Sequence, residues 1–321
     1  MLVFAALALA PVRSASQETA PAPPLGNAPR PTRAVPARPP DPRHLAAARK
    51  LLAGGGREEG LGPYRLWTDD RNEELLRLLA QVANGFEEVY RARYGCAPVG
   101  PPAEAVVLFA AEAAYRSFQD RDPQIAERAA SAHSGYGIVA LFDGGRLRKE
   151  VASTLVHELA HHTNRRALGP LLPSWLDEGI ADDLAQSRLD EAGRLLPRTL
   201  SGARAKVGNL IHFYGAQAGL QRLRQAIDAG MLPPVPQLLD LPWQSFVGSE
   251  DGLNYIHAAF WVRYLLDGEG GALAPAFRAY LAAVGEGEPA TPEVLRARLG
   301  RSWDDLESGF RRWIEAQAAG P

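Results

Sequence analysis

Apolar side chains recur at three- and four-residue spacing from Asn72 to Tyr94, where Leu75, Leu79, Val82, Phe86 and Tyr90 share one face. That period predicts a long amphipathic helix. Just before it, Tyr64-Arg65-Leu66-Trp67-Thr68 alternates and is rich in strand formers, and Ala105 to Phe109 is a second short apolar run of strand length. A helix is predicted around Ala111 to Phe118. A third strand is predicted over Gly135 to Phe142, stopped by Asp143-Gly144-Gly145. From about Lys149 to Arg166 the helical period returns, and it ends before Gly169-Pro170.

Beyond that point every patterned stretch reads as helix. Ser174 with Asp177 three residues on resembles a capping box and opens a helix reaching about Gln186, while Tyr255–Leu266 and Trp303–Ile314 repeat the three-and-four spacing. The expectation is an α+β fold: a small α/β part with a mixed sheet over residues 61–168, then a helical part over 169–321. The seam between two such parts is where a cleft normally lies.

The N-terminal sixty residues follow other rules. Leu2 to Ala10 is an unbroken apolar run followed by small residues, which reads as the export signal of an extracytoplasmic protein, periplasmic or secreted, within residues 1–20. The run is too short to span a bilayer, which takes about 20 helical residues. Nine prolines lie between Pro21 and Pro42 with almost no large apolar side chain, which predicts a semi-extended tether. Ala46 to Leu52 is a short helix candidate, stopped by Gly54, Gly55 and Gly56. A formal net charge of −2 supplies no broad electrostatic reason to bind nucleic acid, and no transmembrane segment is predicted. The single cysteine, Cys96, rules out an intrachain disulfide, so compactness must come from the core or from a bound metal.

The chemistry concentrates in one place. His157-Glu158-Leu159-Ala160-His161 puts two imidazoles at i and i+4 on one face of the predicted helix, where both reach a single ion. Glu158, one step round, is placed as the general base that takes a proton from the attacking water. A helix with two hydrogen-bonded core histidines would show the same five residues, so the neighbours decide. Glu178 follows His161 by 17 positions on the next helix, and two His plus one carboxylate suit Zn2+ with a fourth position left open. Asp182, at i+4 from Glu178, is placed to orient a ligand histidine. Asp177 is the rival third ligand, and His162, about 100° round from His161, is read as structural or as a rim residue.

Thr154-Leu155-Val156-His157-Glu158-Leu159-Ala160-His161-His162 followed by Trp175-Leu176-Asp177-Glu178-Gly179-Ile180-Ala181 resembles the gluzincin zinc metallopeptidases of the peptidase MA clan, closest to their bacterial peptidase-MA-like families. The likeness in order of elements runs from about Tyr64 to Trp313; the two motif segments are its specific part. The resemblance implies a zincin-like fold with the motif helix at the seam, His157, His161 and Glu178 as ligands, Glu158 as base and Asp182 behind the ligands. It also implies an edge strand that pairs with an extended substrate, for which Gly137, Ile138, Val139 and Ala140 are the candidates, their apolar character fitting an internal strand equally. A transition-state donor is expected on a later helix. The resemblance favours Tyr255 over His257, although Tyr255 also continues an apolar stripe with Ala259, Val262 and Leu266.

Two functions fit these residues. One is a zinc-dependent peptidase acting on a peptide or protein substrate, with Glu158 assisting attack of water. The other is a non-proteolytic zinc-binding module that recognises an envelope partner, suited by the Pro-rich tether; such a module would have no use for the base.

Overall fold

A computed structural model describes residues 33–121, 132–197, 216–249 and 252–319. The fold is mixed α and β: a five-stranded mixed sheet precedes a helical part. The stretch expected to be a signal, and the first half of the expected tether, lie outside the described residues.

The sheet is built from β1 (Arg57–Leu61), β2 (Tyr64–Thr68), β3 (Ala105–Phe109), β4 (Ala132–Gly135) and β5 (Ile138–Phe142), in the order β1-β2-β3-β5-β4. β2, β3 and β5 run parallel, and β1 and β4 flank them antiparallel. Side-chain alternation splits the interior strands between two cores. Leu66, Val106, Leu108, Val139 and Leu141 face a core shared with α2 (Glu73–Tyr94) and α4 (Arg148–Leu168). Trp67, Ala105, Val107, Phe109, Ile138, Ala140 and Phe142 face a smaller core under α1 (Pro42–Arg49) and α3 (Glu112–Gln119). Burial on both faces is why β3 and β5 read as apolar runs.

The expected single strand over Gly135 to Phe142 is instead a hairpin. It turns at Tyr136 and Gly137, both with positive φ (55° and 70°), as a two-residue turn of this hand requires. β5 is therefore paired on both sides, with β3 and with β4, and the edge position expected for Gly137 to Ala140 is corrected. Among the described residues, the edge on that side of the sheet is β4, which packs beside α4.

Behind the sheet stand α5 (Ser174–Ala185), a two-stranded β6 (Arg188–Leu189) and β7 (Leu195–Leu196), and helices α6 (Ala216–Asp228), α7 (Val235–Leu239), α8 (Trp243–Val247), α9 (Leu253–Asp267), α10 (Ala274–Glu286), α11 (Pro292–Leu299) and α12 (Trp303–Ala319). The larger core runs without a break from the sheet through these helices. The β6–β7 pair corrects the all-helical expectation for this part.

The last stretch of the expected tether is laid against the fold. Ala34 N–H donates to the Gly285 carbonyl, Val35 N–H to Arg165 and Asp41 N–H to Tyr136, so residues 33–41 cross α10, α4 and the hairpin turn. Asp41 then caps α1, accepting from the backbone N–H groups of Arg43 and His44, with Pro42 at the first helical position. No helix among the described residues is long and apolar enough to cross a membrane.

Candidate metal centre

α4 carries buried residues on every side, from Val151 to Val156, from Glu158 to Ala160, from His162 to Asn164 and from Arg166 to Leu168, because it is wedged between the sheet and α5. Imidazoles inside such a helix need partners. The partners of His157 and His161 come from α5, which folds back across Gly169-Pro170 as the sequence predicts. Its expected cap does not form: Ser174 is the first helical residue, and Pro173 precedes it without a side-chain bond.

Each ring has a carboxylate on its Nδ1 side. Asp182 Oδ1 lies 2.9 Å from His157 Nδ1. Asp177 Oδ2 lies 3.0 Å from His161 Nδ1, within ion-pair reach but off the line of a good N–H bond. A carboxylate only accepts, so each neutral ring keeps its proton on Nδ1 and turns the Nε2 lone pair inward. The two Nε2 atoms are 3.1 Å apart, and Glu178 Oε2 lies 3.4 Å from that of His157 and 3.6 Å from that of His161. Glu178 Oε2 is buried without a protein donor.

Three acceptor atoms thus crowd one point, an arrangement that repels itself until a cation or protons fill it. The edges of a tetrahedron with metal–ligand bonds of about 2.0–2.2 Å are about 3.3–3.6 Å, so the donor set and spacing fit zinc. His157, His161 and Glu178 form the single group of this kind among the described residues. Asp177, the rival ligand, is turned to the far side of the His161 ring and engages Asn164.

The same crowding sets the electrostatics. Burial alone would lower the pKa of both rings, but for His157 the bonds to Asp182 and Glu178 outweigh it and raise the value well above the ordinary one. For His161 the charges of Asp177 and Glu178 outweigh burial and lift it to about 9. Burial pushes Glu158 above the usual carboxylate range, partly offset by the two rings. A carboxylate tuned upward in this way is a better proton acceptor.

α5 is held in place by close packing and by buried charge. A Cβ on Gly179, next to Glu178, would stand 2.9 Å from the Ala258 carbonyl and from Val262 Cγ2, so glycine is what lets α5 approach α9. One step past Asp182, Asp183 is fully buried and accepts from Arg93 and Tyr94 on α2 and from Arg263 on α9.

The remaining predicted residues are placed as follows. Ile138, Val139 and Ala140 lie in the sheet interior and Gly137 in the turn. Tyr255 is half-buried with its ring edge-on to Phe246 at 5.0 Å, one turn before Ala258 on α9. His257, the less favoured donor candidate, is fully buried and stacked on Phe310 of α12 at 5.4 Å. His162 is buried too, with Nδ1 3.4 Å from Glu104 Oε1, and is structural. Sequence reasoning missed Asn164 and took Asp177 for a rival ligand rather than the partner of His161. The available cue was a polar amide inside an otherwise buried helix, which demands partners.

No protein-family model matches the chain, and no curated protein matches it either.

Proposed function

We propose that the protein is a zinc-dependent hydrolase, and most specifically a peptidase of the gluzincin kind with a zincin-like fold. The observation that carries the reading is the convergence of the His157 and His161 Nε2 atoms and Glu178 Oε2 within 3.1–3.6 Å, beside the buried carboxylate of Glu158. His157, His161 and Glu178 would hold the ion. When bound, zinc supplies Lewis-acid polarisation of a carbonyl and lowers the pKa of water.

The chain's own groups do the rest. Glu158 takes the proton of the attacking water and returns it to the leaving amine, a role suited by its raised pKa. Asp182 holds His157 in the tautomer that presents Nε2. Tyr255 is the candidate donor to the developing oxyanion. The edge that pairs with an extended substrate moves from β5 to β4, whose outer side has no partner among the described residues.

The test is the purified full chain with zinc and a proteome-derived peptide pool. Glu158→Gln should keep the metal and lose at least about a hundredfold in turnover, the usual scale of general-base catalysis. Equal activity of this variant and the parent refutes the assignment. Zinc binding without cleavage of any peptide would favour the envelope-binding module instead.

A further inference from the structure

Three helices, not two, converge on the metal-ligand geometry. α2 contributes no ligand, yet Tyr90 on it reaches the site through an unbroken chain of short contacts. The Tyr90 hydroxyl donates to Asn164 Oδ1 at 2.9 Å. Asn164 Nδ2 donates to Asp177 Oδ1 at 2.7 Å and to the Asp177 carbonyl at 3.2 Å. Asp177 Oδ2 in turn faces His161 Nδ1 at 3.0 Å.

The direction of each link is forced. Both Asp177 atoms facing the amide accept only, so Nδ2 must point at them and Oδ1 must point at Tyr90. The tyrosine is fully buried, and burial drives its pKa well above the ordinary value, so it remains a donor. Asn164 is itself 0% exposed, and an asparagine there is unfavourable for the helix unless every polar atom is used. The contact at the His161 end is poorly aligned, so the ring depends on where Asp177 is held rather than on one strong bond.

We infer that Tyr90 and Asn164 are positioning residues for the metal centre: they fix the Asp177 carboxylate and, through it, the orientation of the His161 ring. The inference rests on the zinc reading proposed above. It differs from a packing role because Tyr90 and Asn164 would then set ligand geometry as well as stability. Neither residue belongs to the two motif segments' ligand set.

The experiment uses the full chain and its Asn164→Leu and Tyr90→Phe variants. Zinc affinity is measured by competition with a chromogenic chelator, and ligand geometry by the visible absorption of the cobalt-substituted protein. Thermal unfolding of the metal-free forms is followed in parallel. Asn164→Leu should weaken zinc binding about tenfold to a hundredfold, the scale for groups that orient a ligand. Tyr90→Phe should weaken it about threefold to tenfold, as loss of one hydrogen bond to the positioner predicts. The cobalt spectrum should change in both.

Unaltered affinity and cobalt spectrum in Asn164→Leu, with stability alone reduced, would overturn the inference. If the parent chain binds no zinc, the metal reading fails, and the nitrogen chemical shifts of His161 in the metal-free protein decide the matter. A proton distribution on that ring that changes in Asn164→Leu supports positioning; an identical one refutes it.

Discussion

His257 offers a sharp electrostatic test, because it is a buried base with neither ring nitrogen hydrogen-bonded. Burial, assisted by Arg311 nearby, pushes its pKa from 6.5 down to about 3. Between those values the unfolded chain binds a proton that the folded chain refuses. Folding stability contributed by this site is therefore fully present above about pH 6.5 and declines as the pH falls toward 3. At about 1.4 kcal/mol per pH unit the whole interval amounts to about 5 kcal/mol, of which about 3 kcal/mol is lost by pH 4.5. The perturbation is His257→Leu, which is similar in size and does not titrate. Urea unfolding of both proteins, metal-free, at pH 7, 5.5 and 4.5 isolates the effect, since all other groups are common to the pair. The stability of the variant relative to the parent should rise steadily across the series, by about 3 kcal/mol in all. Zinc binding at pH 7 should be the same in both, as His257 stacks on α12 and is not among the proposed metal ligands. Parallel stability curves would refute the assignment of a neutral buried ring, and a loss of zinc would refute its placement.

Gly179→Val should push α5 off the Ala258 carbonyl, costing about 1–3 kcal/mol by overpacking and weakening zinc binding through Glu178; titration and thermal melts check both. Asp183→Ala strands the buried Arg263 without its counter-charge and leaves Arg93 with Asp267 alone, and should cost about 3–5 kcal/mol in chemical denaturation. Burial raises the Asp183 pKa, but the two arginines outweigh it and hold the carboxyl below the ordinary value. Its contribution to stability is thus present above about pH 4 and lost as the pH falls further, so acid unfolding below pH 4 should be shallower in Asp183→Asn than in the parent. Gly137→Ala places a Cβ 2.6 Å from the Arg38 and Pro39 carbonyls and adds strain at positive φ; limited proteolysis should then cut residues 33–41 faster than in the parent.

The parts legible in the sequence are those whose signal is local. The pair His157 and His161 needs only helical spacing, and α4 and α5 follow from period and from the Gly169-Pro170 break. β3 was readable because burial on both faces leaves only apolar residues, and β2 because it alternates and is rich in strand formers. β1 was not, since Arg57-Glu58-Glu59-Gly60-Leu61 forms an edge strand that buries little beyond Leu61 and shows no apolar alternation. The β4–β5 hairpin was hidden because its turn places Tyr136, a bulky non-glycine residue, at positive φ. Asp41-Pro42, a strong helix start, was absorbed into the Pro-rich stretch, so α1 begins earlier than expected. In the site, Glu178 and Asp182 share a face by spacing alone. The roles of Asn164 and Tyr90 depend on which helix packs against α4, a tertiary fact that no local pattern carries.

The most direct test of the metal centre is anomalous diffraction at the zinc edge from crystals of the zinc-loaded chain. One peak is predicted, about 2.0–2.2 Å from His157 Nε2, His161 Nε2 and a Glu178 carboxylate oxygen. A peak held by other residues, or none between these three side chains at full zinc loading, would contradict it.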